Sequence, residues 1–363
     1  YSPAIIGRVA ESVRLLDRYI GGTILRQSSL VFIVLMGIFL FMVFIEELAD
    51  IGVGNYDLAS VFRFVALSAP RIAYETFPMV ALIGTILGLS SLAVGSELVV
   101  IRASGVSLAR ITGSVLRIGG FFMVVVILVG EFINPWSESA AQQGRAEALE
   151  RAIDQNNSYG LWFRDGRKYV NVGEVLPDLT LLRIRIFEFN IENRLVSMEY
   201  AGEGSYQDNV WKLPKVQKTT IDAAGKSDIE DLYQEEWSTA MTPQMMSAFL
   251  ITPEQLSIQQ LRRYMTYLRE NSQDTRPYQL AYWQKLTLPL STAVMVVLAI
   301  PFVFGSLRSG SMGRNLFIGI MVGLVFYVVN KAFGYIVLGY GVSPIIGAAL
   351  PTFILFVAAL FMY

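Results

Sequence analysis

SLVFIVLMGIFLFMVFI, Ser29 to Ile45, decides what kind of protein this is. It contains no charged residue and no proline, and it approaches the roughly 20 apolar residues that a helix needs to cross a bilayer core. A helix on a soluble surface would interleave polar positions to keep one face wet. This stretch does not, so it reads as a membrane span.

The same texture recurs along the chain. A long region from Val61 to Val94 is apolar but broken by Pro70, Arg71, Glu75 and Pro78. It is too long for one straight span and too short for two, which predicts one steep helix with a kinked or amphipathic beginning. Further spans are expected over Ile111–Ile133, Leu286–Phe304, Leu316–Leu338 and Pro344–Met362. That makes a polytopic α-helical protein with six transmembrane helices, three on each side of a long polar stretch.

Composition agrees. Hydrophobic residues make up 53% of 363 residues and charged residues 16%, with a mean hydropathy of +0.48, which is the membrane class. A net charge of -1 provides no basic field for nucleic acid. Cysteine and histidine are both absent, which removes disulfides, thiolate and imidazole metal sites, cysteine nucleophiles and histidine bases. No cleavable signal is expected, because the first apolar run is too long for a signal core.

Basic residues orient the spans. Arg8, Arg14, Arg18 and Arg26 precede the first, Arg102 and Arg110 follow the second, and Arg308 and Arg314 follow the fourth. The stretch between the first and second carries Glu46, Glu47, Asp50 and Asp57 without a basic residue. Both termini are therefore expected in the cytoplasm and the middle of the chain outside. The expected domains are an N-terminal membrane half (1–135), an external domain (136–284) and a C-terminal membrane half (285–363).

The external segment opens with SESAAQQGRAEALERAIDQ, which reads as an extension of the third span. Strand-like runs follow. GLWFRDGRKYVNV predicts a hairpin about Asp165-Gly166. TLLRIRIFEFN alternates Leu182, Ile184 and Ile186 against Arg183 and Arg185. RLVSMEYAG and VWKLPKVQKTTI continue the pattern, with Asn-Asn-Ser, Glu-Asn and Gln-Asp-Asn clusters as turns. An all-β domain fits. Ser257 and Gln260 then form a capping box, opening a helix with Leu261, Met265 and Leu268 on one face.

Chemistry-bearing motifs are sparse. Gly225-Lys226-Ser227 ends like a phosphate-binding loop, but Thr220 stands where that loop needs its first glycine, so it reads as a plain loop. No span holds an aspartate, and a serine hydrolase would lack a histidine base; a Ser–Lys pair through Lys331 has no motif behind it. An enzyme reading is poor, and no cofactor is implied. Ionisable residues within spans remain the functional candidates. Glu46 and Glu47 close the first span, either as an acidic interfacial end or as part of a site. Arg71 and Glu75 stand at i and i+4, either an intrahelical pair or a guanidinium fork offered to a phosphate. Lys331 poses the same question in the fifth span, and Glu131 marks the end of the third.

GSELVVIRASG, Gly95 to Gly105, lies between the second and third spans on the expected cytoplasmic side. Gly95-Ser96 reads as a break with a capping serine and Ser104-Gly105 as the stop. Leu98, Val99 and Ile101 are apolar, with Glu97 and Arg102 flanking them. Two readings stand on equal footing: an amphipathic helix resting on lipid, or a helix whose apolar face enters a partner's groove.

LLDRYIGGTIL (Leu15–Leu25), SELVVIRASG (Ser96–Gly105), GLWFRDG (Gly160–Gly166), FVFGSLRS (Phe302–Ser309) and YGVSPIIGAALP (Tyr340–Pro351) together resemble the lipopolysaccharide export permease family, and within it the G-type subunits. The resemblance covers essentially the whole chain, in order. It implies an inner-membrane half-transporter that pairs with a homologous F-type subunit and binds a dimeric cytoplasmic ATPase. A single-span accessory subunit is a further expected partner. The pair would extract lipopolysaccharide and pass it through a periplasmic β-jellyroll to a bridge of similar domains. The family's coupling helix would be the Gly95–Gly105 stretch, with Glu97, Leu98, Ile101, Arg102, Ala103 and Gly105 at the ATPase contact. Lipid contacts implied by the resemblance are Glu46, Glu47, Arg71 and Arg145. The chain departs from the family at Val43, Ala49, Asp50 and Gln142, which occupy positions that are basic in some relatives. The rival reading is a membrane scaffold that recruits envelope proteins through its β domain without moving anything. A lipoprotein-release type permease is disfavoured by its four-span layout.

Overall fold

The computed structural model describes residues 3–149, 160–176, 180–222, 225–239, 241–243, 252–305 and 312–362. Arg308 and the Asn156–Ser158 turn lie outside the described residues. Among the described residues, six helices are long and apolar enough to cross a membrane, as the sequence led one to expect. The chain divides into two compact units, Tyr1–Val43 with Ala69–Asn134 and Gln279–Tyr363, and Phe44–Ser68 with Pro135–Tyr278.

The first unit is helical. It draws on α1 (Pro3–Leu48), α2 (Leu58–Val94), the short α3 (Glu97–Ala103) and α4 (Leu108–Leu128), which runs into a π-helical turn at Val129–Ile133. It also draws on α7 (Arg276–Gly305), α8 (Met312–Tyr340) and α9 (Pro344–Met362). The interrupted second region is one helix, α2, that runs through Pro70 and Pro78. Its 37 residues would extend about 55 Å at the α-helical rise. α2 is the best-buried span, whereas α1, α8 and α9 leave most of their apolar length exposed. Ile20 and Ile24 of α1, Leu82, Ile86 and Leu89 of α2, and Met295, Val296 and Ala299 of α7 share one core. Close approach of α1 and α2 depends on two glycines a turn apart. A Cβ on Gly84 would stand 2.2 Å from the Ser28 hydroxyl, and one on Gly88 2.9 Å from the Ile24 backbone. This is the small-xxx-small contact that lets membrane helices pack backbone to backbone.

The second unit contains α5 (to Ala148), a six-stranded antiparallel sheet, and α6 (Ile258–Glu270). The strands are β1 (Leu161–Asp165), β2 (Lys168–Val175), β3 (Leu181–Phe189), β4 (Leu195–Gln207), β5 (Val210–Ile221) and β6 (Ser227–Trp237). They pair in chain order, each with its sequence neighbours. Turn chemistry sets these pairings. Gly166 takes φ +61 in the β1–β2 turn, and Asp208 and Asn209 both take positive φ between β4 and β5, the pattern of a two-residue type I′ hairpin. Lys226 N–H donates to Asp222 at 2.9 Å and Gly225 has φ +81, so the Gly-Lys-Ser motif is the β5–β6 turn, as read from the sequence.

One expected alternation is corrected. Ile184 and Ile186 face inward, but the third inward residue of β3 is Leu181, with Leu182 only half-buried. Arg183 takes φ +53, which shifts the in–out phase by one residue at that point. The sheet's inner face gathers Phe163, Val170, Val172, Ile184, Trp211 and Trp237, all buried. The Trp211 indole N–H donates to the Met241 carbonyl at 2.8 Å. The β4–β5 ladder is interrupted between Tyr200 and Ser205, a stretch that holds Gly202 and Gly204 on one strand and the positive-φ Lys215 on the other. Glycines within strands mark places where a sheet can bend. The capping box on α6 is present in both directions, Ser257 accepting from Gln260 N–H and Gln260 accepting from Ser257 N–H. Its buried face is Leu261, Tyr264, Tyr267 and Leu268, with Met265 half-buried.

Candidate functional site

Among the described residues, three groups bear on the site residues expected from the sequence. The first is α3. It ends in a Schellman arrangement: Gly105 at φ +93 donates to the Arg102 carbonyl at 3.0 Å, and Val106 N–H donates to the Ile101 carbonyl at 3.4 Å. Its beginning corrects the sequence reading. Ser96 sits at φ 59 and its side chain makes no capping hydrogen bond; the sharp left-handed turn at Ser96, rather than a serine cap, separates α2 from α3. Leu98 is fully buried in the core of the first unit, with Ile101 packed against it. These two therefore anchor α3 to its own chain. Val99 and Val100 are exposed at 56% and 65%, and Arg102 and Ala103 are exposed beside them. Glu97 accepts a hydrogen bond from the Tyr19 hydroxyl at 2.7 Å, which ties the start of α3 to α1.

The second group is the set of charges in the helical unit. Arg71 and Glu75 form the expected i,i+4 pair at 3.9 Å, and Lys331 of α8 approaches the same carboxylate at 3.5 Å. All three are partly exposed, at 25%, 28% and 50%. Two cations thus approach one carboxylate. Sequence reasoning missed Lys285. It sits one residue before the apolar run of the fourth span and is buried, its Nζ donating to the Gly130 carbonyl at 2.7 Å and lying 5.7 Å from the Tyr74 ring centre. Gly130 lies in the π-helical turn, which alters the hydrogen-bond ladder of the third span. The signal available in the sequence was Lys285 itself, a lysine at the very start of an apolar run.

The third group belongs to the second unit. Arg145 of α5 donates to Glu47 Oε2 at 2.7 Å and to Asp50, and the Tyr56 hydroxyl donates to the same Glu47 oxygen at 2.8 Å. The Arg145 guanidinium also lies 5.6 Å from the Phe64 ring centre. Burial pushes the Tyr56 hydroxyl well above its ordinary pKa, and the Glu47 carboxylate beside it adds to the shift. Of the expected lipid contacts, Glu47 and Arg145 are thus brought together, and Glu46 is exposed next to them. Arg71 belongs to the other group. Asp50, noted as a departure from a basic position, is here a partner of Arg145.

Six helices long and apolar enough to cross a membrane, with charged side chains among them and a β domain in the same chain, are the make-up of a multi-pass membrane protein. The comparisons say which kind. The chain matches the family described as Lipopolysaccharide export system permease LptF/LptG over residues 18–363. It is 36% identical over 349 residues to the Lipopolysaccharide export system permease protein LptG of Escherichia coli (strain K12), covering 96% of this chain and 97% of that one. It is 34% identical over 349 residues to the protein of the same name from Haemophilus influenzae, covering 95% and 97%. The chain belongs to the LptF/LptG family of lipopolysaccharide export permeases. It is a transport subunit of the inner membrane, and the scaffold reading finds no support.

Proposed function

We propose that this permease receives force at α3 from a separate, dimeric cytoplasmic ATPase, and that a homologous F-type permease completes the transporter. The observation that carries the reading is the division of α3 into two faces. Leu98 and Ile101 hold the helix to its own bundle, while Val99, Val100, Arg102 and Ala103 face outward. A short helix with an anchored inner face and an apolar outer face suits a groove on a partner. Glu97, tied to Tyr19, would pass a displacement of α3 to α1, and Gly105 would keep the turn tight.

In this reading the spans divide three and three, with both termini in the cytoplasm and the β domain in the periplasm. The domains are 1–135, 136–284 and 285–363, and the six-strand meander, bent where its β4–β5 ladder opens, is the family's jellyroll-like lipid conduit. Arg71 contacts a lipid phosphate, with Lys331 as a second cation. Glu46, Glu47 and Arg145 are further lipid contacts, Arg145 through its ion pairs rather than as an open cation. A single-span accessory subunit is a further partner.

The experiment uses Glu97→Ala and Glu97→Lys variants, co-expressed with the ATPase and the partner permease. Loss of the ATPase on purification, or ATP hydrolysis that no longer releases lipopolysaccharide, with normal membrane insertion, is the expected result. Unchanged assembly and transport would reduce α3 to a surface helix.

A further inference from the structure

The helical unit holds one more cluster, on α1 and α4, that none of the foregoing uses. Asp17 accepts from three donors on one face of α4: Arg110, Ser114 and Arg117, at i, i+4 and i+7. Both guanidiniums converge on the same oxygen, Oδ2, Arg110 at 3.2 Å, while Ser114 takes Oδ1. One carboxylate neutralises one guanidinium, so a full positive charge is left over, and the adjacent Arg18 is exposed.

The position of that surplus charge is informative. Arg117 lies six residues into the apolar run that begins at Ile111, and its side chain is 60% exposed. A charge at such a depth is costly unless an opposite charge or water meets it. Exposed apolar residues flank it along the two helices: Leu15, two residues before Asp17, is 64% exposed, Leu116 47%, and Phe121, one turn beyond Arg117, 53%. Held guanidiniums bordered by exposed aliphatic and aromatic side chains match an anionic lipid, charged at the head and apolar along the tail.

We propose that Arg110 and Arg117, steered by Asp17 and Ser114, bind the phosphate of an anionic phospholipid whose acyl chains lie along Leu15, Leu116 and Phe121. The lipid is a resident of the bilayer at that end of the helices. The site shares no residue with the Arg71 and Arg145 groups and does not depend on their role.

The full-length protein, extracted from vesicles of phosphatidylethanolamine alone or mixed with phosphatidylglycerol, is examined by native mass spectrometry for retained lipid. Wild type should retain phosphatidylglycerol in preference to phosphatidylethanolamine. Arg117→Gln should lower that retention about fivefold, the effect of one interfacial cation, and Arg117→Lys should preserve most of it. The exposed position of Arg117 keeps these variants folded, which a matching thermal midpoint verifies. Equal retention of phosphatidylglycerol by Arg117→Gln and wild type would overturn the proposal. So would displacement of the lipid by inorganic phosphate, which would make this a general anion site. A third overturning result is loss of a co-purifying protein with lipid retention unchanged, which would assign Arg117 to a protein contact.

Discussion

Gly130 shows how much one missing side chain can decide. A Cβ there would stand 2.2 Å from the Tyr74 ring, closer than any real contact allows, and its carbonyl is the acceptor for buried Lys285. Gly130→Ala is expected to destabilise the solubilised chain by about 1–3 kcal/mol, the usual range for overpacking. Gly120→Ala, where a Cβ meets nothing within 4 Å, should leave the thermal midpoint at or above the wild-type value. Lys285→Met removes the donor and leaves the Gly130 carbonyl buried without it. A loss of about 1–3 kcal/mol is expected for an unsatisfied buried group, again read from thermal unfolding. Neither residue stands out in the sequence. Gly130 is one of 30 glycines, and what distinguishes it is a ring from another helix, which no local pattern encodes.

Elements were more legible than their faces. Long apolar runs specify helices by themselves, because no other backbone arrangement satisfies its own hydrogen bonds in lipid, and all six spans were read correctly. The hairpin at Asp165-Gly166 and the Ser257–Gln260 capping box were legible because they depend on residue types at fixed offsets. The faces of α3 were not. Val99 and Leu98 are equally apolar, and only the bundle decides that Leu98 turns inward and Val99 outward. The shifted phase of β3 escaped for a related reason, since nothing about Arg183 announces a positive φ. At this scale Gly105→Ala is expected to loosen the end of α3. A Cβ in the left-handed region costs about 1 kcal/mol, so amide exchange of Gly105 and Val106 should speed up while that of the α2 core stays unchanged. The Arg145 network makes a second prediction. Arg145→Met takes the cation away from two carboxylates, one of them buried, whereas adding Glu47→Gln relieves part of the penalty. The double variant should therefore melt higher than the single one, a coupling read from a double-mutant cycle.

For the molecule as a whole, pH reports on groups outside the spans. Burial raises the hydroxyl pKa of Tyr56, Tyr264 and Tyr267, and the Glu199 carboxylate hydrogen-bonded to Lys218 raises that ammonium. Each folded value lies above the unfolded one, so each contribution is whole below about pH 10 and is lost as pH rises through the folded value. Asp57, held down chiefly by the Ser60 backbone N–H, and Asp274, held down chiefly by Arg276, act in the opposite sense. Their contributions are present above about pH 4 and fade as pH falls below it. The thermal midpoint of the full chain should therefore be flat near neutrality and fall at both extremes. A midpoint still climbing above pH 10 would contradict the buried state of these tyrosines. The meander has a consequence of another kind, in time rather than in space. Every strand of the sheet pairs with its neighbour in the chain, so each hairpin can close as soon as its second strand has been synthesised and delivered, without waiting for the remainder. Local closures of that kind are fast. The ties that span the domain come late: Tyr267 donating to the Arg164 carbonyl at 2.9 Å, and Gly166 N–H donating to Asn271 at 2.8 Å. They join the first hairpin to the last helix, so the domain is completed only when α6 has been made.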